Sequence, residues 1–214
     1  VSPPESQSPP ELSSHDRILR AARHLFATAG YENTTTSAIA RRAGTSESQL
    51  IKHFGSKEGL LEAIFDASWQ RMEQGLRQVS ERHDEPLDRL RSLMELMIDA
   101  LERDGELRTL MLLEGRRIRR HGHMVVLTRG FMGAVQAIDG VLGQMQERGQ
   151  LRPGLKVPAM RSALIGAFEG LLRDQVLAER VDYPADYGPE DVRATFRAVL
   201  ECFLVQPPGA DGPG

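Results

Sequence analysis

Cysteine is almost missing from this chain: Cys202 stands alone among 214 residues, so no intramolecular disulfide can form, which fits a reducing compartment. Within the apolar helical stretch AVLECFLV it reads as a small core or interface hydrophobe rather than a redox sensor. Aromatic residues are also scarce, at 5%, and no run alternates convincingly with period two, which argues against β architecture. No apolar run reaches the roughly 18 residues that a membrane span needs. The N-terminus, VSPPESQSPPE, is polar and acidic and unlike a signal peptide, so a soluble, cytoplasmic protein is expected. Enzyme signatures are lacking as well: there is no H-E-x-x-H, no Walker loop, no G-x-G-x-x-G and no plausible triad.

What is present is helical. Ala, Leu, Met, Arg and Glu dominate, and the predicted fold is all-α with about nine helices. Residues 1–11, with four prolines, three serines and two acids, read as a disordered arm, and 206–214 as a disordered tail. A small N-terminal domain is expected over 12–60 and a helical bundle over 61–205. Predicted helices cover Ser14–Ala29, a segment opening in Thr34-Thr35-Thr36 and closed by Gly44, Ser46–Phe54, and Lys57–Val79. Five more lie near Pro86–Arg103, Glu106–Arg120, Met124–Gln150, Val157–Arg180 and Pro189–Val205.

Two short helices split by Ala43-Gly44-Thr45 and followed by a third opening on Ser56-Lys57 form a helix-turn-helix pattern. Ser46 and Gln49 make an S-x-x-Q capping box at the second of them, with Leu50 and Phe54 inward and Glu47, Ser48, Gln49, Lys52 and His53 outward. Polar side chains near the start of such a helix suit major-groove readout. Gln49 can pair with adenine, although capping competes for it, and Lys52 and His53 can approach guanine or phosphate. Glu47 repels phosphates and is expected to reject wrong sequences more than to add affinity. From Leu12 to Leu60 seven Lys or Arg face four acids, so this segment is basic within a chain of net charge -3.

Thr34 or Thr35 is expected to cap the first of the two helices, leaving Thr36 and Ser37 for the DNA backbone. Lys57, a cation at the positive end of a helix dipole, calls for an anion beside it, and a DNA phosphate is the expected one.

Gly30-Tyr31, Thr34-Thr35, Ile39-Ala40, Arg42-Ala43-Gly44, Ser46, Leu50, His53-Phe54 and Ser56 through Leu61 resemble the N-terminal domain of the TetR family of bacterial transcriptional regulators. The segment from Glu147 to Arg152 is similar to a loop that precedes the family's dimerisation helices. The resemblance implies a homodimeric repressor that binds double-stranded operator DNA and leaves it when a small-molecule effector occupies the second domain; no cofactor is implied. Ile51 stands where the family commonly has a tyrosine that touches the DNA backbone, and Ser48 where a smaller residue or glycine is common. Either one phosphate contact is missing or Ile51 makes an apolar contact, such as to a thymine methyl.

All eight methionines follow residue 61, and methionine lines adaptable cavities as well as ordinary cores. The expected cavity lies among Trp69, Met94, Met97, Leu101, Met111, Phe131 and Phe168, with Glu114, Arg117, Gln136 and Arg173 as polar candidates. Arg116, Arg117, Arg119, Arg120, His121 and His123 read as a solvated helix end; His-x-His alone is weak metal evidence, and no metal site is expected. Small residues Ala163, Gly166, Ala167 and Gly170, with Leu164, Leu171, Val199 and Phe203, suggest a dimer interface. The rival readings are a DNA-binding regulator without a ligand, or a helical small-molecule-binding protein or enzyme with a vestigial head.

Overall fold

A hydroxyl begins each of the first four helices. In the computed structural model, which describes residues 12–115 and 118–205, α1 spans Ser14–Ala29, α2 Thr36–Ala43, α3 Glu47–Phe54 and α4 Lys57–Arg82. Ser13, Thr35, Ser46 and Ser56 each accept a bond from the backbone N–H three residues on, satisfying donors that the helices cannot satisfy themselves. Gly44 ends α2 in the left-handed conformation (φ 62°), its N–H directed at the carbonyls of Ala40 and Arg41. The expected disordered arm and tail, and Arg116 and Arg117, lie outside the described residues.

Ile18, Ala22 and Phe26 of α1, Ile39 of α2, Leu50 of α3 and Leu60 and Leu61 of α4 are fully buried. Their helical spacing turns one stripe of each helix toward a common centre. That core continues without a break into the rest of the chain, because α4, about 39 Å long at about 1.5 Å per residue, also buries Phe65, Trp69 and Met72 farther along.

The remaining helices are α5 (Pro86–Arg103), α6 (Gly105–Thr109), α7 (Arg129–Glu147), α8 (Val157–Ala178) and α9 (Pro189–Glu201). Nine α-helices lie among the described residues, where no helix is long and apolar enough to cross a membrane.

The predicted helix Glu106–Arg120 is not continuous. A π-helical turn, Leu110–Glu114, follows α6, and then a two-residue antiparallel hairpin pairs β1 (Arg119–Arg120) with β2 (His123–Met124). His121 (φ 49°) and Gly122 (φ 82°) form its turn, both positive as a two-residue hairpin with right-handed twist requires. The described part of the basic run, Arg119 to His123, is thus a hairpin and not a solvated helix end, and Arg120 reaches across to pair with Glu62 of α4. Helix α7 starts at Arg129 rather than Met124 because Thr128 caps it, accepting from Phe131 N–H at 3.3 Å. Cys202 is exposed at the end of α9, which removes the core alternative and leaves a surface position.

The α3–α4 junction depends on a close approach. A Cβ at Gly59 would lie 2.2 Å from the carbonyl oxygen of Phe54, a backbone atom that cannot swing aside. Ala in place of Gly normally favours a helix by about 1 kcal/mol, but overpacking here outweighs it. The expected outcome for Gly59→Ala is a net loss of about 1–3 kcal/mol in urea unfolding; an unchanged or raised midpoint would contradict this packing.

Candidate nucleic-acid interface and apolar cavity

Helix α3 presents two unlike faces. Leu50 and Phe54 are buried under α1 and α4, whereas Glu47, Ser48, Gln49, Lys52 and His53 are exposed and Ile51 is 45% exposed. Ser46 accepts from Gln49 N–H at 3.2 Å. Among the described residues the reciprocal bond from the Gln49 side chain to Ser46 is absent, so only half of the expected capping box forms and the amide projects outward. Thr36 donates its hydroxyl to the Glu47 carboxylate, tying the first turn of α2 to that of α3. This gives Glu47 a structural partner and occupies the Thr36 hydroxyl expected at phosphate. Ser37 remains exposed beside it. His53 Nε2 lies 3.2 Å from Ser14 Oγ, and its ring meets the edge of His15 with centroids 5.7 Å apart.

Thr34 is placed otherwise than expected. It is 3% exposed and its hydroxyl reaches the carbonyls of Leu25 and Gly30. Turned inward, it closes the end of α1 and cannot contact DNA; Thr35 supplies the α2 cap, accepting from Ala38 N–H at 3.1 Å.

Lys57 also turns toward the protein. Its Nζ donates to the carbonyls of Tyr31 (3.0 Å) and Thr34 (3.1 Å) and lies 4.1 Å from the Tyr31 ring centroid. The anion its position called for is answered by two carbonyl dipoles and an aromatic face.

Glu58, next in sequence, accepts from the Tyr31 hydroxyl at 2.9 Å. Its carboxyl is held below the usual range, first by its own backbone N–H, which opposes the upward push of burial, and then by the Ser56 and Tyr31 hydroxyls and the Lys57 charge. Burial, followed by Glu58, pushes the Tyr31 hydroxyl well above its ordinary value, so it stays a donor. Tyr31 and Glu58 are structural residues that sequence reasoning missed; a tyrosine directly after the helix-ending Gly30 was the available signal.

Farther along α4 a partly open apolar cavity of about 150 Å³ lies between α4, α5, the π-helical turn, α7 and α8. Trp69, Met97, Leu101, Met111, Phe131 and Phe168 stand in its wall as expected, joined by Leu112, Met124, Val126, Leu127, Ala134, Val135, Ile138, Ile165 and Glu169. Met94 is buried but faces the α5–α9 side, beside Arg193 and Phe196. The polar candidates are placed elsewhere. Gln136 is exposed on the opposite side of α7 from Ala134 and Ile138, and Arg173 is exposed and paired with Asp174 at 3.3 Å. The Glu114 carboxylate approaches Gly30 in the head, and Arg117 lies outside the described residues.

On α8, Ala163 and Gly166 are exposed and Ala167, Gly170 and Leu171 half-buried. Nothing stands within 4 Å of where a Cβ would extend from Gly166 or Gly170. Val199 and Phe203 are half-buried. Leu164, at 1% exposure, packs into its own subunit and drops out of any interface with a second copy.

Comparison with known proteins bears on this arrangement. Residues 18–64, from α1 into the start of α4, match the family of bacterial regulatory proteins, tetR family. The nucleoid occlusion factor SlmA of Marinomonas sp. is 24% identical over 178 residues, covering 81% of this chain and 88% of that protein. The fatty acid degradation regulator FadR of Bacillus halodurans shares the fold with a TM-score of 0.75 at 22% identity, over 96% of this chain and 100% of that one. FadR of Bacillus subtilis, solved in complex with stearoyl-CoA, aligns with a TM-score of 0.72 at 22% identity, over 89% and 97% of the two chains. With the capped helix-turn-helix and its polar outer face, the family match identifies residues 18–64 as a DNA-binding domain of the tetR family of bacterial regulatory proteins, and the chain as a whole shares the fold of these solved regulators.

Proposed function

We propose that the chain is a cytoplasmic, non-enzymatic, homodimeric transcriptional repressor, released from a palindromic operator by a small, largely apolar molecule. Residues 12–60 act as the reading domain and 61–205 as the ligand-binding and dimerisation domain. The observation that carries this reading is the course of α4: its first turns are fastened to the head through Lys57 and Glu58, and twelve residues on Trp69 stands in the cavity wall. A ligand that prefers one position of α4 shifts the population of head orientations and so the spacing of two reading helices.

Helix α3 enters the major groove, with Gln49 at base edges, Ser46, Ser48, Lys52 and His53 at bases or phosphates, and Ile51 as an apolar contact. The exposed N-terminal turns of α2, with Thr35 and Ser37, meet the backbone. The small-residue face of α8, with Ala163, Gly166, Ala167 and Gly170, lets the same helix of a second copy approach closely, and Leu171, Val199 and Phe203 flank it.

The stearoyl-CoA held by the B. subtilis neighbour supports ligand control. The cavity here, however, at about 150 Å³, accommodates a benzene-sized body and not a long acyl chain. A nucleoid-occlusion role, suggested by the SlmA likeness, gives this cavity no task.

Transcription in vitro from the promoter upstream of its own gene is expected to fall as protein is added, and a rise would make it an activator. In fluorescence anisotropy on that DNA, Gln49→Ala should weaken specific binding by about 1–3 kcal/mol. Lys52→Ala should flatten the salt dependence by about one phosphate. Thr34→Val should leave affinity unchanged and lower stability by about 1–3 kcal/mol. Undiminished binding by Gln49→Ala would remove α3 as the reader. In sedimentation, Gly166→Arg is expected to run as a monomer; a persisting dimer would move the interface off α8.

A further inference from the structure

Five arginines line one open cleft of about 910 Å³ between α1, the end of α2, α4 and the start of α6: Arg17, Arg20 and Arg23, then Arg42, then Arg71. Against them stand two acids, Asp16 and Glu106, which leaves the wall three positive charges in excess. Both acids already have partners. Asp16 accepts from the Ser13 hydroxyl at 2.7 Å and lies 3.2 Å from His15 Nδ1. Glu106 accepts from Arg23 Nε at 3.0 Å and lies 2.9 Å from His24 Nδ1. The other four arginines meet no carboxylate among the described residues. Arg17 donates to the carbonyls of Ala43 and Leu12, each at 3.0 Å. Arg71 reaches only groups of its own helix, the Ala67 carbonyl at 3.2 Å and the Ser68 hydroxyl at 3.5 Å. Arg20 and Arg42 are exposed and bond to none of the described residues.

Cations held in one concavity repel one another, and its low-dielectric walls focus their field on whatever anion enters. A guanidinium presents a planar fork that takes two oxygens of a phosphate at once. The four forks without a carboxylate stand on three helices, so a single phosphate cannot meet them all. We propose that the cleft binds a small molecule carrying a diphosphate or two phosphate groups, whose charge of about −3 to −4 near neutral pH suits the excess on the wall. Arg17, Arg20, Arg42 and Arg71 donate to its oxygens, while Arg23 stays with Asp104 and Glu106. The site shares no wall residue with the apolar cavity, so the two take different ligands. Head and body both border the cleft, and a ligand there bears on how α1 sits against α4 and α6.

Calorimetric titration of inorganic pyrophosphate into the full-length protein at low salt is expected to show one site per chain, with orthophosphate about tenfold weaker or more. ADP titrated in parallel tells the two sources of a diphosphate apart: equal affinity points to the inorganic ion and tighter binding to an ester. The double variant Arg20→Gln/Arg71→Gln changes two exposed side chains, which leaves stability nearly untouched. It should lose about tenfold or more in pyrophosphate affinity. Without pyrophosphate, its affinity for DNA upstream of its own gene and the salt dependence of that affinity should match the wild type. Undiminished pyrophosphate binding by the double variant would put the anion elsewhere and overturn the proposal, as would orthophosphate binding as tightly as pyrophosphate, or no binding of either. Weaker DNA binding by the variant with a flattened salt dependence would make these arginines contacts to the DNA backbone, and the proposal would fall on that result too.

Discussion

Two adjacent residues at the start of α4 hold the head together. Lys57 closes on the carbonyls of Tyr31 and Thr34 while Glu58 takes the Tyr31 hydroxyl, so the turn between α1 and α2 is gripped from both sides by the first turn of a third helix. Leu60 and Leu61 follow at once and are fully buried against the head. The angle of α2 and α3 to α4 is therefore set by charge-assisted hydrogen bonds backed by apolar burial, the stronger kind of polar contact. Because α4 continues into the body as one helix, whatever positions its far end also positions the reading helix.

Further fastenings join head and body away from α4. Arg23 of α1 pairs with Asp104 and with Glu106, and His24 Nδ1 lies 2.9 Å from Glu106, all at the start of α6. Arg180, just past α8, donates to the Ala27 carbonyl at 2.8 Å. A few residues beyond those acids, Met111 and Leu112 line the cavity from a π-helical turn, and such turns are frequent at functional sites. Arg120 of the hairpin bonds to Glu62, and its side chain lies against Gly59. The segment 104–124 thus touches the head at both ends and the cavity in the middle. These surface ion pairs are individually weak, which suits contacts that must rearrange; the buried stripe of α4 is the rigid part.

Much of this was legible in the sequence because its signals are local. Ser13, Thr35, Ser46 and Ser56 mark helix starts, Gly30, Gly44 and Gly55 mark stops, and apolar spacing marks the buried stripes, so α1, α3 and α5 fall where they were expected to within a residue. The exposed face of α3 was equally readable, since burial of Leu50 and Phe54 forces its neighbours outward. What escaped depends on distant partners. Thr34 and Thr36 are alike in sequence, yet one meets Leu25 and the other Glu47. Lys57 needed an anionic partner by dipole reasoning and found carbonyls belonging to residues more than twenty positions away. The hairpin at 119–124 turns at His121 and Gly122 and brings Arg120 to Glu62, fifty-eight residues earlier, a partner that no local propensity records.

Reading by α3 is the claim on which the rest depends, and footprinting of the full chain on DNA upstream of its own gene tests it most directly. The account predicts protection of two symmetry-related half-sites whose centres lie about 34–36 Å apart, one helical turn, or a multiple of it, with occupancy that falls steeply as salt is raised. Uniform, sequence-independent protection, or none at any salt concentration, would contradict it.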